Sequence, residues 1–197
     1  MAQHNGYSEV PHGSYDEFKN ATINEGWNVD YYGTIPYGGY GNQCWDLVAL
    51  LYWQYGLTLY TGSQGYAYTC WTQRRTQNSA PPFYSVEDVR NIKRGDIIVW
   101  NRSAYSATGH IAFADEDYNG TNRINSFGQV PSLHGINGTA QVDNLSLNNF
   151  LGIFRNANWQ STPPTPPAPS KKQESKFPWV IAWRHWPGFR IDKGDII

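Results

Sequence analysis

The sequence is poor in the features on which secreted, membrane-spanning and nucleic-acid-binding proteins depend. It has two cysteines and one methionine in 197 residues, and its formal net charge is −1. The first ten residues, MAQHNGYSEV, lack the basic and apolar regions of a secretory signal, and no apolar run approaches the ~20 residues of a membrane span. We therefore expect no transmembrane segment, no nucleic-acid partner, and a reducing cytoplasm in which Cys44 and Cys70 stay free thiols.

Aromatic side chains are abundant by contrast, with 14 Tyr and 9 Trp, and glycine is high at 19 residues. Buried Tyr and Trp need polar partners, whereas exposed ones suit flat amphipathic ligands such as sugars and peptides. The length allows one domain with a substantial core. This composition predicts a loop-rich, β-containing body with grooves.

The order of the predicted elements indicates an α+β fold. The best helix pattern runs from Cys44 to Tyr55, where apolar residues recur along one face, and a shorter helix is predicted at 14–25. Residues 58–84 look irregular. Short apolar segments bounded by turn residues then predict strands at 95–100, 109–115, 123–127 and 148–155. Helices followed by strands with short turns predict helices packed on an antiparallel sheet.

A proline-rich stretch divides the body from the C-terminal segment. Residues 161–176, STPPTPPAPSKKQESK, predict a semi-rigid linker between a body at 1–160 and a short tail at 177–197. Lys and Arg outnumber Asp and Glu by 6 to 3 after residue 160, whereas the body has 9 against 13. The basic, Trp-rich tail is predicted either to bind an extended polymer or a membrane or to self-associate, or to pack on the body or stay unfolded.

Cys44 stands where a glycine-rich loop meets the best helix. Free N–H groups and the positive end of the helix dipole at this position stabilise an anion, which predicts a lowered thiol pKa and donors for an oxyanion. Cysteine is also among the most buried residue types, and position 44 lies on the apolar stripe. The position alone therefore allows either a nucleophile or core packing.

A thiol nucleophile needs an imidazole base, and His110 is the candidate. Among the five histidines it is the one that opens a predicted strand, and Gly109 before it permits close approach of another chain or a substrate. The alternative is a hydrogen-bonded structural histidine.

Four short motifs occur in one order along the chain: YGNQCWDL, KRGDIIVW, GHIAFAD and NNFLGIFR. Together, over roughly residues 14–156, they resemble the CHAP family, the cysteine, histidine-dependent amidohydrolase/peptidase domains of phage endolysins and bacterial wall hydrolases. The resemblance implies a papain-like α+β fold and hydrolysis of a peptidoglycan amide, either N-acetylmuramoyl–L-alanine or a stem or cross-bridge peptide bond. It implies Cys44 as nucleophile, His110 as base and no required cofactor, with Gln43 a candidate second oxyanion donor beside the Cys44 N–H.

The third residue of the family site departs from the family pattern. Many members carry Glu-Gln-Asn on the strand after the histidine, and the polar partners orient the imidazole. Here Gly128 and Val130 flank Gln129, so that both partners are missing. Asn125, Ser126 and Gln129 are the candidate substitutes; strand alternation places Ser126 on one face and Asn125 and Gln129 on the other.

The resemblance also suggests further site residues. Some relatives hold Ca²⁺ in the loop before the helix, and Asp30 and Asp46 are the matching carboxylates here, although Asp46 also suits a helix first turn. Trp100 and Trp71 are candidate walls of a substrate groove, or core residues.

Two functions from different classes follow. The first is a phage-type endolysin that acts on Gram-positive peptidoglycan, made in the host cytoplasm and released through a holin-type route. The second is a catalytically decayed CHAP-fold protein that binds cell walls. The NlpC/P60 peptidases share the Cys–His logic, but the QCWDL and FLGIFR contexts favour CHAP.

Overall fold

The fold is that of a computed structural model, which describes residues 10–24, 43–63, 65–74, 78–103, 106–134 and 139–160. Its helices are α1 (Tyr15–Asn24), α2 (Cys44–Gln54), α3 (Ala67–Thr72), α4 (Pro131–His134) and α5 (Ala157–Gln160), and a 3₁₀ turn lies at Val89–Asn91. Its strands are β1 (Phe83–Val86), β2 (Ile97–Trp100), β3 (His110–Ala114), β4 (Arg123–Gly128), β5 (Gln141–Ser146) and β6 (Phe150–Asn156).

The six strands form one antiparallel sheet in the order β1-β6-β2-β3-β4-β5. Alternating side chains of each strand enter two separate clusters because successive Cβ atoms point to opposite faces. Val99 and Ile111 belong to the helix-side core, which the helices cover. Ile98 and Ala112 belong to the far-side core, on the other face. The α+β prediction is therefore confirmed.

Helix α2 is the central buried helix of the helix-side core. Its leucines and Val48 have essentially no exposed surface, which agrees with the apolar stripe in the sequence. The helix ends at Gln54, and Gly56 beyond it adopts the left-handed conformation that favours glycine after a helix. Helix α1 begins as predicted, since the hydroxyl of Ser14 accepts the N–H of Glu17.

Five helices and strands were not predicted from the sequence, namely α3, β1, β5 and the short helices α4 and α5. Residues 58–84 contain α3 and the start of β1, and β5 runs through the polar segment QVDNLS. Helix α3 packs on the sheet through Trp71. The Trp71 ring lies on the backbone of Gly152 and contacts Phe154 in the helix-side core.

No helix in the described ranges is long and apolar enough to cross a bilayer. The predicted linker at 161–176 and tail at 177–197 lie outside the described residues, and the roles predicted for the tail stay predictions.

The packing of Trp71 on β6 predicts that Gly152→Ala is destabilising. An added methyl group would overlap Cζ2 and Cη2 of the indole ring, which has no free space to move into within the core. We expect a loss of about 2 kcal/mol in the free energy of unfolding, measured by urea denaturation. Gly13→Ala is the matched control, because its added carbon meets only the flexible end of Glu17. Equal stability of the two variants would contradict this packing.

Candidate active site

Cys44 is the first residue of α2, and its thiol is directed at strand β3. Three main-chain N–H groups, those of Ile111, Cys44 and Trp45, act on the thiol and favour its anionic form. Two of these donors belong to the first turn of the helix, where N–H groups have no partner inside the helix. The third belongs to the peptide unit that follows His110. The thiol therefore sits among donors suited to an anion, one residue from the predicted base.

The pKa of the Cys44 thiol is raised, whereas the position at the helix start led us to expect a lowered pKa. Burial raises the pKa of the thiol to about 12, while the N–H donors of Ile111, Cys44 and Trp45 act in the opposite direction and the carboxylate of Asp46 adds to the rise. The side chain is 8% exposed. Loss of water outweighs the helix dipole here, so that the group is a neutral thiol at neutral pH.

His110 begins β3 and faces away from the helices. Its ring packs against that of Trp100, its partner on β2, with the centroids 5.3 Å apart. The Nε2 atom is buried and has no hydrogen-bond partner among the described residues. Burial lowers the pKa of His110 to about 4, and the carboxylate of Asp143 partly offsets this by raising it. The imidazole is therefore neutral and has a nitrogen available for a proton.

Cys44 lies against β3, and His110 begins that strand, but their side chains lie on different faces of the sheet. Cys44 belongs to the helix-side core, whereas His110 packs beside Trp100 of the far-side core. Nε2 of His110 has no hydrogen-bond partner among the described residues. The pairing of Cys44 with His110 as nucleophile and base therefore stays a prediction.

Gln43 and Gln129 meet at the start of α2. The side-chain amide of Gln129 donates to the main-chain oxygen of Gln43 over 3.0 Å, and the Asp46 carboxylate accepts the Gln43 N–H over 2.6 Å. Gln129 is 1% exposed. It therefore contacts the helix start that carries the thiol, and the role of Gln43 as an oxyanion donor stays a prediction.

Asn125 lies at the other end of β3 from His110, and we correct the expectation that it orients the imidazole. Its main-chain oxygen accepts the N–H of Asp115, five residues beyond His110 along the strand. Its side-chain oxygen accepts the amide of Asn144 over 2.9 Å. Ser126 lies on the opposite face of β4 from Asn125, which is the His110 face of the sheet, and its buried hydroxyl has no partner among the described residues.

Asp143, a partly buried carboxylate on the His110 face of the sheet, was not singled out from the sequence. It lies on β5 opposite Ser126 of β4, and its side chain is 14% exposed. Its carboxylate lies 2.9 Å from Nε2 of His134 and acts electrostatically on His110. The alternation of Val142, Asp143 and Asn144 was a weak strand signal that could have drawn attention to this segment.

The two candidate groove tryptophans are both buried. Trp71 is 6% exposed and packs on β6, so that it is a core residue, and we correct its assignment to a groove wall. Trp100 is 5% exposed, lies against His110 and donates its indole N–H to the main-chain oxygen of Ser146. It supports the base and has little surface to offer a substrate.

The described residues do not fit a calcium site. Calcium requires six to eight oxygen ligands, and no cluster of three or more metal-binding side chains occurs in the part of the chain that the structure describes. Asp46 is 1% exposed and engaged with the Gln43 N–H. Asp30 lies outside the described residues, so that a calcium ion stays a prediction that rests on the resemblance.

Comparison with known families identifies the family to which the chain belongs. The family model described as CHAP domain matches residues 31–129, which include Cys44, His110 and Gln129. The chain belongs to the CHAP family. CHAP domains are generally cysteine-dependent amidohydrolases or peptidases, which supports a peptidoglycan hydrolase. No curated protein matches significantly.

Solved structures agree with the CHAP fold. The crystal structure of the wild-type endolysin LysIME-EF1 matches with a TM-score of 0.53 and 21% sequence identity. The alignment covers 75% of this chain and 66% of that one, so that this chain spans slightly less than two thirds of its length.

The buried thiol of this CHAP domain predicts slow alkylation at neutral pH. Because the pKa of Cys44 is raised to about 12, the thiolate fraction and the rate with iodoacetamide should rise about tenfold per pH unit from pH 7 to pH 10. Mass spectrometry of the peptide that contains Cys44 follows the reaction, and the peptide with fully buried Cys70 is the internal comparison. A rate that reaches a plateau below pH 8 would contradict the burial argument.

Proposed function

We propose that this CHAP domain is the catalytic part of a phage-type endolysin that hydrolyses an amide bond of Gram-positive peptidoglycan, with Cys44 as nucleophile and His110 as base. The observation that carries the proposal is the position of the Cys44 sulfur. It lies among the N–H groups of the first turn of α2 and the N–H of Ile111, next to His110 in the chain.

The acylation step uses the neutral state of both groups. The proposal requires the imidazole of His110 to turn toward the sulfur; it then takes the thiol proton while the sulfur attacks the carbonyl carbon of the scissile amide. The negative charge that develops on the carbonyl oxygen is placed near the start of α2, where N–H groups are available. The carbon–nitrogen bond then breaks, the imidazolium returns the proton to the leaving amine, and a thioester on Cys44 remains.

Hydrolysis of the thioester completes the reaction, with water in place of the thiol as the group that gives its proton to His110. The neutral imidazole takes a proton from water, the hydroxide attacks the thioester carbonyl, and the sulfur leaves with the proton from His110. The products are a free amine and a carboxylic acid. A glycosidic bond is not cut, so that new amines appear without new reducing ends.

A second candidate function is supported by the burial of the same groups. Cys44 is 8% exposed, and Nε2 of His110 has no partner in the described part of the chain. A CHAP-fold protein that had lost catalysis and kept wall binding would have such an occluded site. The two functions predict different results for the clearing of cell walls. Only the enzyme clears walls, and it loses this activity when the thiol of Cys44 is removed.

Clearing of purified Gram-positive cell walls tests the proposal. We expect the wild-type protein to lower turbidity and release amines without reducing ends, and Cys44→Ala to lose this activity by about a thousandfold or more, because no other group can form the thioester. Cys70→Ala removes the other free thiol and is the matched control, with activity retained.

Two outcomes would contradict the proposal. If Cys44→Ala clears walls as fast as the wild type, Cys44 is not the nucleophile. If wild type and Cys44→Ala both bind walls of several species and neither clears them, the binding function takes its place. N-terminal sequencing of the released amines separates an amidase from an endopeptidase.

A further inference from the structure

Arg102 is an exposed cation that lies on two tyrosine rings at the start of α3. Its guanidinium carbon is 4.4 Å from the ring centroid of Tyr68 and 5.3 Å from that of Tyr66. The centroids of the two rings are 5.9 Å apart, and the hydroxyl of Tyr68 accepts a hydrogen bond from Arg102. Because stacking on aromatic rings fixes the plane of a guanidinium, its N–H groups are held in one orientation. We call these three residues the Arg102 cluster.

The guanidinium of Arg102 has N–H donors left over, in contrast to those of the other arginines in the described ranges. A guanidinium has five such donors, and the hydroxyl of Tyr68 is the one side-chain acceptor that Arg102 meets there. The other arginines pair with a carboxylate or, for Arg123, with two oxygens of Asn144. The carboxylate pairs are Arg74–Glu87, Arg90–Asp88, Arg94–Asp16 and Arg155–Asp96. Arg102 therefore presents a positively charged fork without an acid.

The Arg102 cluster lies at the end of β3 that also meets Cys44. Tyr68 packs on Gly109, the residue before His110, so that a Cβ added to Gly109 would lie 2.8 Å from the Cβ of Tyr68. The main-chain N–H of Tyr68 donates to the oxygen of Thr108 over 3.2 Å. Helix α3 covers the helix-side core, to which Cys44 also belongs. The cluster is therefore a neighbour of the thiol on the helix side of the sheet.

The charge and shape of the cluster favour a single carboxylate as its ligand. The planar fork of an arginine binds a carboxylate through two parallel N–H···O bonds. Tyr66 and Tyr68 are partly exposed, and such rings suit the flat amide groups of a peptide. A chain of phosphates is disfavoured, because residues 1–160 have 9 Lys and Arg against 13 Asp and Glu. The expected ligand is therefore a peptide with a free carboxylate.

We propose that the Arg102 cluster is a carboxylate-binding site that holds an anionic group of the wall peptide beside Cys44. The proposal rests on the proposed function, which supplies a peptide substrate at this end of β3. A free carboxylate satisfies the fork of Arg102, whereas a carboxamide is neutral and brings N–H donors of its own. The cluster therefore selects substrates with a free carboxylate over amidated ones. An acidic residue of the peptide and its C-terminus are the two sources of this group.

A purely structural role for Arg102 predicts a different result. If Arg102 only tied the residues after β2 to α3, its loss would weaken the binding of charged and neutral peptides alike. A carboxylate-binding site changes the ratio between the affinities for a carboxylate peptide and for its amide, because both peptides require the same fold. This ratio separates the two roles.

The first test measures the ratio by NMR titration of the full chain with Cys44→Ala, which prevents hydrolysis of the probe. The probes are a synthetic Ala–isoglutamyl–Lys tripeptide with both carboxylates free, and two versions in which either the isoglutamyl or the C-terminal carboxylate is an amide. We expect the free peptide to bind about tenfold more tightly than one of the amides and to shift the Nε–H signal of Arg102, because only that amide loses the paired hydrogen bonds. The amide that binds weakly identifies the carboxylate that is held.

Three variants on the same Cys44→Ala chain decide the result. Arg102→Gln should lower the ratio to about one, and Arg102→Lys should lose most of it, because lysine keeps the charge without the planar fork. Arg123→Gln is the matched control and should keep the full ratio, since Arg123 is also exposed and has no acidic partner in the described part of the chain.

Four outcomes would overturn the proposal. The first is that the chain with Arg102 does not distinguish the free peptide from either amide. The second and third are a full ratio in Arg102→Gln or in Arg102→Lys. The fourth is that Arg102→Gln loses binding to poly(glycerol phosphate) while its peptide ratio is unchanged, which would assign the fork to a phosphate polymer.

The second test measures kcat and KM with Cys44 intact on soluble peptidoglycan fragments, either with free carboxylates or amidated. Arg102→Gln should lower kcat/KM about tenfold on the free fragment, chiefly through a higher KM, because the contact is made equally in the substrate complex and the transition state. An equal loss on both fragments would show a structural effect and overturn the proposal. If the wild type hydrolyses neither fragment, the proposed function fails, and the NMR titration still decides whether Arg102 binds a carboxylate.

Discussion

The start of α2 lies against the start of β3, where the main-chain N–H of Ile111 acts on the Cys44 sulfur. This contact forms because α2 is buried along most of its length, so that its first residue has to end against the sheet and not in water. The amide of Gln129 adds a second link by donating to the oxygen of Gln43. These two contacts hold the thiol beside the strand that carries His110.

The same burial that positions the thiol also determines its chemistry. A thiolate inside the helix-side core would lose most of its hydration, and the N–H groups around it do not compensate for this loss. Burial has the same consequence for His110, whose pKa it lowers to about 4, so that the thiol and the imidazole are both neutral at neutral pH.

Local patterns were sufficient to predict α2 and β3, because a helical stripe and a short apolar strand are visible within a dozen residues. The catalytic roles of Cys44 and His110 stay predictions. Strand β5 was missed because the half-buried face of QVDNLS is mostly polar, with Gln141, Asp143 and Leu145. The pairing of Asp143 with Ser126 depends on the register between strands, and the burial of Trp71 depends on a glycine 81 residues away on β6. Neither relation exists within a window of sequence. Burial also reversed the expected shift of the Cys44 pKa, since a helix start indicates the dipole but not the loss of water.

The central claim is that Cys44 forms a covalent acyl intermediate. The most direct test is to quench the reaction with acid while the protein turns over purified peptidoglycan fragments. The mass of the peptide that carries Cys44 is then measured. A thioester intermediate predicts a peptide heavier by the acyl part of the substrate, with the modification lost on treatment with hydroxylamine. Continued hydrolysis by Cys44→Ala at the wild-type rate, with the wild-type peptide unmodified at every time point, would contradict the account.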